Sequence, residues 1–215
     1  MMAFLLLAAV ASLLVGTEAA LGFDTIKPIN VSTFSCMVNN GYSFYTARVW
    51  RSNGQYDELG MSNIRNARAA GMSTDAYVFP CLSATCPGAA NQIEAAINRL
   101  RATATLIETL WLDIETFHWP KDQEANRKFI SDMAQKSADM GVKAGIYSLQ
   151  YSWEETVGQW GGVSALPLWW ANWTHTQTFD DFTPFGGWSS PSLRQIDGDV
   201  VGPCGLGDID KNWHP

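Results

Sequence analysis

Hydrophobic and polar positions along the chain follow two alternating periods. Short apolar runs stand at residues 21–26, 45–50, 72–79, 109–115, 142–148 and 166–172, and each has the length and composition of a strand. Segments of helical period separate the later runs, at 59–70, 89–102 and 122–140, with a shorter one at 153–160. Gly71 and Gly141 follow two of these segments where a helix stop is expected, and Pro80 stops the third strand. Beyond residue 173 the pattern changes. Residues 174–192 are rich in Thr, Phe, Gly and Ser without helical period, and short strands are expected at 193–196 and 207–210. Strands alternating with helices predict βαβ units and a parallel sheet. The loss of helices in the last third predicts an α/β fold of the incomplete TIM-like barrel kind, one domain over residues 20–215.

Residues 1–16 are almost wholly apolar and small residues follow up to Ala20, the pattern of a secretory signal peptide. A cut after Ala19 would place Thr17 and Ala19 at the small-residue positions, so residues 1–19 are read as a leader. No later stretch approaches the roughly 20 apolar residues of a membrane span. The remainder is expected in a secreted or lysosomal (phagosomal) lumen, off the membrane and monomeric. Cys36, Cys81, Cys86 and Cys204 form an even set, which suits two disulfides in an oxidising compartment better than a zinc site at such scattered spacing. Three pairings are possible. Cys81 and Cys86 bracket a short loop they could close, which leaves Cys36 for Cys204, and the first and last strands of a closed barrel are neighbours.

The 14 basic and 21 acidic residues give a net charge of −7, which excludes nucleic acid and anionic membrane as natural partners. Ten tryptophans are a stronger signal. Several lie near candidate acids or in Trp169-Trp170-Ala171-Asn172-Trp173, and exposed indoles make platforms for the apolar face of a sugar ring. The run Leu110-Trp111-Leu112-Asp113-Ile114-Glu115 reads as a buried strand ending in two acids. Alternation puts Trp111, Asp113 and Glu115 on one side of it. Acids on the inner face are costly unless paired or used, and the carboxyl end of a barrel strand is where such folds place catalysis. Walled by Trp111, Trp119 and Trp169, one of these acids is expected to stay protonated near neutrality.

These residues, taken with Gly22-Phe23-Asp24, Phe34-Ser35-Cys36, Asn40 to Phe44, Val78-Phe79-Pro80-Cys81, Gly145-Ile146-Tyr147-Ser148, Pro167 to Ala171, Pro184 to Trp188 and Asp208 to Trp213, give the chain its likeness. It resembles glycoside hydrolase family 25, the Chalaropsis-type lysozymes, especially the short secreted forms of nematodes and amoebae. The resemblance implies a flattened barrel of five βα units and three further strands. It also implies cleavage of the β-1,4 bond between N-acetylmuramic acid and N-acetylglucosamine in bacterial peptidoglycan, without metal or other cofactor. It makes Glu115 the proton donor, with Asp113, Asp24 and Asp210 as supporting acids and Tyr77 and Tyr147 as sugar-site aromatics, beside which Trp169 of the tryptophan cluster is expected to bind substrate. Thr25-Ile26-Lys27-Pro28 replaces the Val-Ser and Trp-Gln that many members carry after the first-strand Asp.

Other readings fit less well. The D-x-x-D-x-D-x-E pattern of chitinases fails at Glu108 and Trp111, and no G-x-S-x-G or phosphate-cradling loop occurs. A glycan-binding immune factor that had lost catalysis would have no need of Asp24, Asp113 and Glu115 together. Asp197 and Asp199, either side of Gly198, read as a turn. Asn30-Val31-Ser32 and Asn172-Trp173-Thr174 fit the glycosylation acceptor pattern, and only Asn30 is expected to be modified.

Overall fold

A computed structural model of the protein describes residues 19–215, so the leader expected over residues 1–19 lies, apart from Ala19, outside the described residues. The elements run β1 Ala20–Asp24, α1 Val31–Asn39, β2 Tyr42–Trp50, α2 Glu58–Ala69, β3 Ser73–Val78, α3 Ala89–Ala102 and β4 Leu110–Asp113. They continue with α4 Gln123–Asp139, β5 Ala144–Ser148, α5 Gln150–Val157, β6 Leu168–Ala171, β7 Leu193–Val200 and β8 Ile209–His214. The strands close into a barrel in sequence order. β1 to β7 are parallel to one another, and β8 fits antiparallel between β7 and β1. Five βα units followed by three strands is therefore the architecture.

Alternation along each strand divides the core into two layers. Inside the barrel Phe44, Trp111, Trp169 and Leu193 pack together with Tyr77 and Tyr147. Between barrel and helices lies the larger cluster, which on β4 takes Leu110 and Leu112 and just beyond it Ile114, all fully buried. Each such side chain contributes about 1.5–3 kcal/mol of burial. Gly22 and Gly145 are small because the Phe44 and Trp111 rings occupy the space their side chains would fill. Asn30, Asp57 and Asp122 cap α1, α2 and α4 with their side-chain oxygens. Gly71 and Gly141 end α2 and α4 at φ of 92° and 68°.

Two expectations need correction, and one helix stands where no element was expected. Residues 31–39 show no clear helical period, yet they form α1, held by Phe34 and Met37 against the barrel rather than by the propensity of Val-Ser-Thr-Phe-Ser-Cys. β4 ends at Asp113, so Glu115 sits on the following loop instead of in the strand. Asp197 and Asp199 are not a turn: β7 runs through them with two irregularities in register against β8. Disulfides join Cys36 to Cys204 and Cys81 to Cys86. No helix among the described residues is long and apolar enough to cross a membrane.

Candidate active site

At the carboxyl ends of the parallel strands, Asp24 (β1), Tyr77 (β3), Asp113 (β4), Glu115, Tyr147 (β5), Trp169 (β6), Gln195 (β7) and Asp210 (β8) line one small pocket. Seven of these residues are the acids and aromatics singled out in the sequence. The register explains the convergence. Asp113, Tyr147, Trp169 and Leu193 are successive partners across β4, β5, β6 and β7, so their side chains share the inner face. On the opposite wall Asp24 is the direct antiparallel partner of Asp210. Two like charges facing each other across a ladder oppose folding. Such an arrangement persists only where other groups compensate it or function requires it.

The compensation comes from two buried amides. Asn212 donates to Asp24 Oδ1 at 2.7 Å and accepts from Trp169 Nε1 at 2.9 Å. Gln195 uses both ends of its amide. Its nitrogen donates to Asp24 Oδ1 at 3.2 Å and Asp210 Oδ2 at 3.3 Å, while its oxygen accepts from Tyr147 Oη and Trp173 Nε1, each at 2.9 Å. The irregular stretch of β7 adds the Asp199 backbone N–H, which donates to Asp210 Oδ1 at 2.8 Å. Sequence reasoning passed over Gln195 and Asn212, although Asn212 follows Asp210 by two and so shares its face. The Thr25 to Pro28 segment serves the approach to β8: Thr25 Oγ1 donates to the Asp208 carbonyl at 2.8 Å and Lys27 pairs with the Asp208 carboxylate at 3.0 Å.

Electrostatically the pocket is loaded toward protonation. Burial, then the charge of Asp210, raises Asp24 well above the ordinary carboxyl range, and the amides only partly oppose this. Burial, then Glu115, raises Asp113 well above its ordinary value. Glu115 and Asp210, which are less deeply buried, are also raised, chiefly by desolvation. Asp113 and Glu115 line the same pocket two residues apart, and the Glu115 charge raises Asp113, so the two carboxyls do not ionise independently. Burial raises Tyr77 and Tyr147 as well, so both phenols stay neutral donors.

The expected tryptophan wall is only partly present. Trp169 lines the pocket, edge-on to Tyr147 at 4.6 Å between ring centroids. Trp111 lies one layer deeper, its indole N–H on Asp75 at 2.8 Å toward the opposite end of the barrel. Burial pushes that aspartate up to about 6. Trp119 packs edge-on against Phe129 of α4 and belongs to the outer core. The acids owe their raised values to the barrel interior and to one another rather than to a cage of three indoles.

Known proteins share this chain's sequence and architecture. A family model described as Lysozyme-like protein 1 matches residues 16–196. Lysozyme-like protein 5 of Caenorhabditis elegans is 43% identical over 196 residues, spanning 90% of this chain and 91% of that protein. Probable GH family 25 lysozyme 4 of Dictyostelium discoideum is 37% identical over 213 residues, 99% of this chain and 98% of its own. Among solved structures, the bacterial lysozyme from Streptomyces coelicolor superposes with a TM-score of 0.68 at 23% identity, covering 92% of each chain.

Proposed function

The chain belongs to the glycoside hydrolase family 25 lysozymes, and on that premise we propose that it hydrolyses the β-1,4 bond between N-acetylmuramic acid and N-acetylglucosamine in bacterial peptidoglycan. The reading rests above all on Asp113 and Glu115, set in one pocket with two further carboxylates and three aromatics. Glycoside cleavage needs an acid for the leaving oxygen and negative charge near an oxocarbenium-like centre. Glu115, on the loop and more exposed than Asp113, delivers the proton. Asp24 and Asp210 line the opposite wall, where a carboxyl that gives up its proton supports the cationic centre.

The same pair bears on stereochemistry. Carboxyls that flank a sugar as acid and nucleophile stand about 5–5.5 Å apart, and inverting pairs about 6.5–9.5 Å. Asp113 ends β4 and Glu115 follows it by two residues in the same pocket, so they act from one side of the ring. Asp113 therefore suits orienting the substrate's N-acetyl group, whose oxygen attacks the anomeric carbon with retention. The leader and the two disulfides fit export to an oxidising lumen, where bacteria are digested or resisted.

Glu115→Gln tests the assignment. Removing a general acid costs about 10²–10⁴-fold in rate. Clearing of a bacterial wall suspension by the variant should fall by that factor, and a variant within threefold of the native enzyme would sink the role of Glu115.

A further inference from the structure

Two residues past the end of β6, Trp173 is half exposed, an uncommon state for so large an apolar surface. It is nonetheless fixed in place. Its indole N–H donates to Gln195 Oε1 at 2.9 Å, and the same glutamine holds Asp24 and Asp210 through its nitrogen. The ring lies against Gly198 on β7, where any Cβ would collide with the indole carbons. Thus one part of the ring is bedded on a glycine backbone, its polar edge is tied to the catalytic wall, and the remainder faces solvent at the rim of the pocket. Gly198, between the two aspartates that read as a turn, is the seat of an aromatic ring.

We propose that Trp173 is a stacking platform for an N-acetylated sugar ring of the glycan strand, next to the pair that is cleaved. This deepens the lysozyme reading and rests on it. The catalytic pocket is small, whereas the substrate is a polymer whose neighbouring rings must cross the rim. A flat, prefixed indole presents an apolar face to the C–H side of a pyranose at low ordering cost. The platform binds and orients; it moves no proton.

The test uses Trp173→Ala, Trp173→Phe and Gly198→Ala, assayed on peptide-free peptidoglycan strands. Loss of the ring in Trp173→Ala should raise KM about tenfold and leave kcat within about twofold. Trp173→Phe keeps an aromatic face but loses the N–H to Gln195, and should stay within about threefold of native. Gly198→Ala leaves the indole intact and unseats it, so it should raise KM as Trp173→Ala does. Equal losses in Trp173→Phe and Trp173→Ala, falling on kcat, would overturn the platform and leave Trp173 as a positioner of Gln195. An unchanged KM in Trp173→Ala would overturn it outright. Calorimetric binding of a chitin tetrasaccharide to the same variants in the Glu115→Gln background separates the two readings. A native protein that cleaves no strand but binds the tetrasaccharide through Trp173 would refute the lysozyme activity and retain the platform.

Discussion

Replacing Asp113 with Asn should stabilise the protein while abolishing its chemistry. Asp113 is 5% exposed, and its Oδ1 is buried without a hydrogen-bond partner among the described residues. Its carboxyl titrates well above the ordinary range, by burial first and the Glu115 charge second. The sign follows directly. A folded-state pKa raised above the unfolded value means that the folded protein binds the proton more tightly. The associated stability is complete below about pH 4, the unfolded carboxyl range, and is lost as pH rises through the folded titration. Each unit of upward shift corresponds to 1.36 kcal/mol. At about 2–4 °C per kcal/mol for a protein of this size, each unit is worth roughly 3–5 °C in Tm. The assay is the Tm of native and Asp113→Asn proteins from pH 4 to 8. Their difference should be near zero at the acidic end, grow with pH, and level off once the native pair has titrated. Because the pair is coupled, that rise reports the two carboxyls together. A difference that is flat with pH, or a variant less stable than native at neutrality, would refute the claim that this site is held at the expense of stability.

The two disulfides should differ in value. In the chain-entropy account, losing Cys36–Cys204, which spans 168 residues, costs about 5 kcal/mol, and losing Cys81–Cys86, which spans 5, costs about 2 kcal/mol. Thermal melts of Cys36→Ser/Cys204→Ser and Cys81→Ser/Cys86→Ser double variants check this ranking. Activity should be highest at acidic pH and decline as pH rises, because the raised Glu115 carboxyl loses its proton on that side. A rate profile on a small neutral oligosaccharide isolates this limb, and a maximum in alkali would contradict it. On anionic whole walls, added salt at neutral pH should recover the part of the loss caused by like-charge repulsion.

Most of the barrel is legible in the sequence because each inner strand carries its own signal. The apolar runs of β3, β4 and β5, and the helical period of α3, need no knowledge of their neighbours. The acids are legible for a related reason: a carboxylate at the end of an apolar run has no structural motive. What the sequence conceals depends on distant partners. Gln195 and Asn212 are unremarkable polar residues until the barrel closes and sets them against Asp24. Arg194 is a similar case. It is fully buried beneath the Trp170 ring and paired with Asp181, an ion pair no local pattern announces. α1 is hidden because its helicity is imposed by packing, and Trp119 misleads because nearness in sequence to Glu115 does not fix the direction of a side chain on a loop.

The position of β8 has a consequence for when the enzyme can exist as an enzyme. Asp24 and Asn212 are 188 residues apart and meet across the β1–β8 ladder. Contacts of such separation form late in folding, after the local units have assembled. A chain on which β1 to β5 and their helices have already docked still lacks Asp210, Asn212 and the Trp169 that Asn212 orients. Such an intermediate lacks the assembled pocket and should be inactive. The same seam governs failure: a local opening that lifts β8 disarms the site while the helical shell remains intact. Cys204, bonded to Cys36 on α1, fastens the segment leading into β8 and keeps that opening rare. Reducing the bridge should thus silence hydrolysis before it unfolds the barrel.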